Sequence, residues 1–181
     1  MLPSVEMHVW VYKVNSRRPE KFTGWHFDQY FRARTRRPCD MGGRDWIRSP
    51  QSWQRLRRAR RDDLFVCYQS DERKIYGLAR AASDGYESLP GSGRFDSVDF
   101  VPPTRGGALR LKNLVDVRRP VFRHLRAFAV PSRGTIHALA ADEWRALLRE
   151  VIACNPEQRQ SIQSFVRWRS RGSVAAAVLK R

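Results

Sequence analysis

The sequence predicts an α+β protein: a mixed, mainly antiparallel sheet curled into a β-barrel and flanked by helices. Three observations predict it. Short stretches at His8 to Val14, Leu64 to Gln69, Lys74 to Ala82, Phe95 to Val101 and Ala108 to Val115 read as strands, apolar or alternating. Helix signals stand among them, at Ser49-Pro50 and in the apolar spacing of Trp144, Leu147, Leu148 and Val151. At 181 residues the chain is long enough to bury a sizeable core in one domain.

The elements follow in order. In His8 to Val14, Val9, Val11 and Lys13 point one way and Trp10, Tyr12 and Val14 the other, so at least one face is core; Trp10 is read as a core residue. Trp25 to Phe31 opens a short amphipathic helix, and Arg32 to Pro38 with the Met41-Gly42-Gly43 turn is a basic loop. Trp25 and Phe27 either cover a site or pack on the core. Ser49 caps a helix whose first position is Pro50 and which runs through Trp53 and Leu56 to about Arg60.

Leu64 to Gln69 and Lys74 to Ala82 form a hairpin, with Gly77 marking a bulge or a close backbone approach. The Pro90 to Gly93 turn leads into Phe95 to Val101, and Ala108 to Val115 adds a strand. Pro120 to Phe128 reads as helical, Thr135 to Ala138 as a strand and Asp142 to Cys154 as a helix.

Charge narrows the function. Lys and Arg number 35 against 18 Asp and Glu, a net charge of +17, which points to an anionic partner, nucleic acid before others. Cys39, Cys67 and Cys154 are widely spaced and form no CxxC, so neither a zinc site nor a disulfide framework is expected, and a reducing cytoplasmic setting is. No apolar run is long enough for a membrane span, so no membrane partner is expected. The four histidines are scattered, and HExxH, GxSxG, Walker and dinucleotide glycine patterns are missing. No catalytic residue, metal or cofactor is therefore assigned, and a binding module is favoured over an enzyme.

From Asp45 to Ala82, tryptophans sit beside a dense arginine cluster, a composition suited to stacking on bases while holding phosphates. Features spread over nearly the whole chain, to about Asn155, resemble the EVE domain of the PUA-like superfamily, which also holds the YTH and ASCH domains. They are a first strand ending at Asn15, Trp46 ahead of a basic helix, Trp53 in that helix, LFVCYQS at 64–70 and IYGLAR at 75–80. Asp84 to Tyr86, Val98-Asp99 and Ala138-Leu139-Ala140 before Glu143-Trp144 follow in the family's order. Two departures stand out. Asp62-Asp63 replaces the family's Gly-Asp, which requires aspartate where glycine is easier, and the segment from Trp25 to Arg44 is longer and more basic. The GxKxxExR pattern of the ASCH branch is not found.

The resemblance implies a PUA-like barrel that binds a modified base, flipped or single-stranded, in DNA or RNA. By position it implies Trp46 and Trp53 as stacking residues, Trp25 as a lid, Asn15 and Ser49 as hydrogen-bonding groups, and Tyr68 as wall or core. Arg44, Arg48, Arg55, Arg57, Arg58 and Arg61 would hold phosphates. Packing of a helix on a sheet is the other reading of Trp46 and Trp53. The alternative function is general RNA binding of PUA-like or ASCH-like type, with nuclease activity as a variant.

The EVE-like domain is expected over 1–155, followed by a basic C-terminal helix and tail over 156–181. There Ile162, Phe165, Val166 and Trp168 share a face, which either docks on the barrel or receives a partner protein.

Overall fold

In the computed structural model, residues 7–17, 24–40, 47, 49–129 and 134–167 are described. The architecture is α+β. Five strands form the main sheet: β1 (Val9–Val14), β3 (Leu64–Gln69), β4 (Lys74–Arg80), β8 (Ala108–Asp116) and β9 (Ile136–Ala138), in the order β8-β4-β3-β1-β9. The central pair β1 and β3 runs parallel, with Val9 opposite Leu64 and Val14 opposite Gln69, and the other pairings are antiparallel.

Two smaller pairs complete the strands, β2 (Cys39–Asp40) with β7 (Asp99–Phe100) and β5 (Tyr86–Glu87) with β6 (Phe95–Ser97). A bridge from Ala81 to Phe100 joins the end of β4 to the first of these. Among the described residues the strand pairing leaves the sheet open, with β8 and β9 as its edges, so the expected barrel is not closed by hydrogen bonds.

Both faces of the sheet are core, because β1 and β3 carry apolar residues at odd and even positions alike. Val9, Val11, Leu64, Val66 and Tyr68 pack with Phe122, Phe128, Leu147, Val151, Ile162 and Phe165 on one side. Trp10, Tyr12, Val14, Phe65 and Cys67 pack with Phe27, Tyr30, Leu56 and Phe100 on the other. The first layer is capped by α3 (Ala141–Cys154) and α4 (Arg159–Arg167), the second by α1 (Phe27–Phe31) and α2 (Pro50–Leu56). Ile162 and Phe165, expected either to dock or to receive a partner, are spent on the first core. Trp168 and the rest of the tail lie outside the described residues.

Three local features hold this frame. Gly77 sits at a register shift between β4 and β8, and a Cβ there would run into the Leu109 carbonyl and, at 2.6 Å, the Phe31 ring. Asp62 takes the left-handed conformation, φ 71°, at the point where the sequence requires it. The next residue, Asp63, is buried and accepts from Trp10 Nε1 at 2.8 Å, from the Arg60 amide at 2.8 Å and from the His8 amide at 3.0 Å. One carboxylate thereby fixes the start of β1 to the start of β3. Arg80, fully buried, donates to the carbonyls of Asp62, Phe165 and Val166 and stacks on the Phe165 ring at 5.3 Å. It satisfies the last carbonyls of α4 from the middle of the sheet.

Three elements differ from expectation. Helix α2 ends at Leu56, and the chain beyond it turns to bond Gly85 through the Ala59 carbonyl and Asp63 through the Arg60 amide. Phe95 to Val101 divides into β6 and β7, whose partners lie in different small sheets. Pro120 to Phe128 is a 3-10 turn over Pro120–His124 followed by irregular chain.

Candidate nucleic-acid interface

The N-terminus of α2 is built by its sequence. Ser49 has extended backbone, its Oγ accepts from the Ser52 amide at 3.1 Å, and Pro50 follows at the first helical position. Ser52 is buried, and its Oγ accepts from the Ser49 hydroxyl at 2.9 Å and from the Thr135 amide at 2.8 Å. The helix is thereby stitched to the chain entering β9.

From the next turn Arg55 reaches the same strand. Its Nη1 donates to the Ile136 carbonyl at 2.6 Å and lies 3.3 Å from His137 Nδ1. His137 Nε2 is 3.0 Å from the Gly134 carbonyl. With an acceptor on one ring nitrogen's partner and a guanidinium on the other's, the ring is a neutral Nε2–H tautomer. Burial first, then the positive charge of Lys13, lowers its pKa to about 4.

Lys13 faces the same side of the sheet as Val11, and its amide donates to the Thr135 carbonyl at 2.8 Å. Burial, followed by the charge of Arg55, lowers its pKa to about 8. Lys13, Arg55 and His137 therefore form a cationic notch at the β1–β9 edge, with Lys13 and His137 on the face of Val11 and Arg55 reaching them from α2 on the opposite face. Two half-buried cations brought this close raise each other's cost, and an anion set between them lowers it.

Beyond the notch, arginines and aromatic rings interleave. Trp53 is half-buried against the second core, and its Nε1 donates to the Ile47 carbonyl at 2.6 Å. Arg94 lies over the Trp53 ring at 5.2 Å, and Arg57 lies over Phe95 at 5.4 Å. Arg57, Arg58 and Arg61 are exposed on the turn after α2, and none of them makes the contact with β9 that holds Arg55.

At the end of β1, Asn15 Nδ2 donates to Ser70 Oγ at 3.4 Å, its Oδ1 accepts from the Arg17 amide at 2.9 Å, and its carbonyl accepts from the Trp25 amide at 3.1 Å. Trp25 packs edge-on to Phe27 at 5.1 Å and remains half-exposed. The structure thus joins Asn15 to Trp25, and Ser49 to Arg55 and the notch.

Tyr68 belongs elsewhere. It lies on the face opposite Phe65 and Cys67, edge-on to Phe128 at 5.0 Å. With Arg73, Phe122 and Arg123 it lines a cavity of about 410 Å³. Trp46, Arg44 and Arg48 lie outside the described residues.

Sequence reasoning passed over Lys13, His137, Arg94 and Phe95. Lys13 carried a usable signal, as a lysine in line with Val9 and Val11 on one face of a strand. His137 carried none, because its role depends on which strand lies next to β9. Among the described residues no group of His, Cys, Asp and Glu is placed to hold a metal ion, and no helix is long and apolar enough to cross a membrane.

No protein-family model and no curated protein matches the chain. Solved structures do share its fold. Rpa0253 from Rhodopseudomonas palustris is 21% identical, with TM-score 0.60 over 83% of this chain and 94% of that one. The DUF55 domain of human thymocyte nuclear protein 1 is 17% identical, with TM-score 0.58 over 78% and 97%. Human THYN1, solved in complex with 5-methylcytosine-containing DNA, is 15% identical, with TM-score 0.60 over 80% and 97%. These likenesses show that the chain shares the fold of those solved structures.

Proposed function

We propose that this EVE-type chain binds nucleic acid and receives a modified base between the end of β1 and helix α2. The observation that carries the reading is that α2 and its C-cap serve both sets of groups: Arg55 reaches His137 beside Lys13, while Trp53 lies under Arg94 and Arg57 over Phe95. A base out of its stack needs flat apolar surface to replace stacking and cations to hold its phosphates. Human THYN1, which shares the fold, has been solved with 5-methylcytosine-containing DNA, and this supports carrying the ligand class over.

In this reading Trp53, Trp46 and Trp25 supply stacking surface and Asn15 reads an edge of the base. Ser49 acts through its cap on α2, since its hydroxyl is already engaged. Lys13 and Arg55 hold the phosphate nearest the base, and Arg57, Arg58 and Arg61 hold the neighbouring ones. The protein is read as a binding module rather than an enzyme. Incubation with labelled DNA and RNA, with and without EDTA, tests that part, and turnover would overturn it.

The main test is a binding panel at one near-physiological salt concentration. Single- and double-stranded DNA and RNA would carry cytosine, 5-methylcytosine, 5-hydroxymethylcytosine, adenine or N6-methyladenine at one position. A marked preference for one modified base, lost in Trp53→Ala or Trp46→Ala with the melting temperature little changed, is the expected result. Affinity that follows salt and ignores the modification would leave general RNA or DNA binding in its place.

A further inference from the structure

Among the described residues the two exposed large hydrophobic side chains, Tyr86 at 36% and Leu89 at 61%, lie on one hairpin, the β5–β6 pair. Tyr86 is engaged, its hydroxyl donating to Asp99 Oδ1 at 3.0 Å. Leu89 stands at the tip, exposed among the described residues. A lone exposed leucine needs no explanation by itself; its mounting does.

Asp96 is buried, and its carboxylate accepts from the Ser88 amide at 2.9 Å and the Ser88 hydroxyl at 2.8 Å. The Ser92 amide donates to the Leu89 carbonyl at 3.1 Å across Pro90 and Gly91, with Gly91 at φ 79°. Proline followed by a left-handed glycine makes a type II turn, which presents Leu89 on a preformed arch. The arch is also fastened to α2 and the turn beyond it. The Gly85 amide donates to the Ala59 carbonyl at 3.1 Å, the Arg61 amide donates to Asp84 Oδ1 at 2.9 Å, and Arg94 and Arg57 bridge to Trp53 and Phe95. An apolar tip is thus fastened to the arginine-bearing turn that follows α2, the helix that borders the proposed base site.

We infer that Leu89 is a wedge that enters the base stack of a duplex at the step from which the modified base is drawn out. The inference rests on the reading of the preceding subsection. Extrusion leaves a gap between neighbouring base pairs, and an apolar side chain on a stiff arm fills it while flanking arginines hold the two backbones. The occupant is a nucleic-acid duplex. A free single strand has no such gap, so the wedge makes the protein a duplex reader.

The test uses the full chain and its Leu89→Ala and Leu89→Met variants. Each is titrated with a DNA duplex carrying 5-methylcytosine next to 2-aminopurine, with the unmethylated duplex, and with the corresponding single strands. Leu89→Ala should lower the ratio of duplex to single-strand affinity about tenfold. It should also abolish the 2-aminopurine fluorescence rise that reports unstacking, and Leu89→Met should restore both.

If the unaltered protein does not discriminate methylated from plain duplex, the modified-base reading falls for this base. The wedge is then judged by the same ratio on the plain duplex. An unchanged ratio in Leu89→Ala, or failure of the unaltered protein to bind duplex, overturns the wedge. So does a change in sedimentation on Leu89→Ala without a change in that ratio, since the tip would then be a contact between copies of the chain.

Discussion

Lys13 is the residue whose chemistry most directly reports the site. Its ammonium is held down to about pKa 8 by burial and by Arg55, so a measurable fraction is already neutral at physiological pH. A phosphate bound in the notch favours the charged form and pulls the pKa back toward its ordinary value. Binding therefore takes up a proton once the free protein has lost it. Affinity should be flat below about pH 7.5 and fall as the pH rises through 8 toward 9.5, while the arginines stay charged throughout. Lys13→Arg should flatten the profile over that range with binding retained, since guanidinium does not titrate there. A profile for the unaltered protein that is level to pH 9.5 would remove Lys13 from the phosphate contact.

At the level of elements, the site depends on how α1 and α2 are seated. Gly77 lets the Phe31 ring of α1 lie against β4 at the bulge, and no other residue leaves room. Gly77→Ala should cost about 2–4 kcal/mol in urea unfolding, as overpacking and a displaced backbone usually do. A loss under 0.5 kcal/mol would mean that the bulge adapts. Elements like this one were legible in the sequence, since glycine in an apolar strand and an aspartate pair at a glycine position both announce their geometry locally. The strands β1, β3, β4 and β8 were legible for the same reason. The division of Phe95 to Val101 into β6 and β7 was not, because it turns on partners distant in sequence. Nor was the face of Tyr68 in relation to Trp53, or the inward pull of Arg55, which sequence reasoning grouped with the exposed Arg57, Arg58 and Arg61.

For the molecule as a whole, the net charge of +17 and the modest number of buried cations divide the work of binding. In the proposed reading, exposed arginines act on phosphates additively and are screened by salt, the notch holds the phosphate nearest the base, and the rings act on the base. Replacing Arg57, Arg58 and Arg61 together by Gln should lower the slope of log affinity against log salt by roughly 2 to 3 on duplex DNA. Any preference between modified and plain base should survive. A slope that does not move would show that these three face solvent in the complex. The sheet order carries one more consequence, for the history of each molecule. The first strand, β1, is flanked by β3 and by β9, so Trp10 must await both Phe65 and Ala138. The β3–β4 hairpin can form early from neighbouring chain, but the first strand synthesised stays unpaired on one side until almost the last strand has been made. Such long-range closure is slow, and it exposes apolar edges while it waits. The notch is completed only when β9 docks, so a half-made chain carries the arginines without the cleft and, on the proposed reading, would adhere to nucleic acid before it could discriminate.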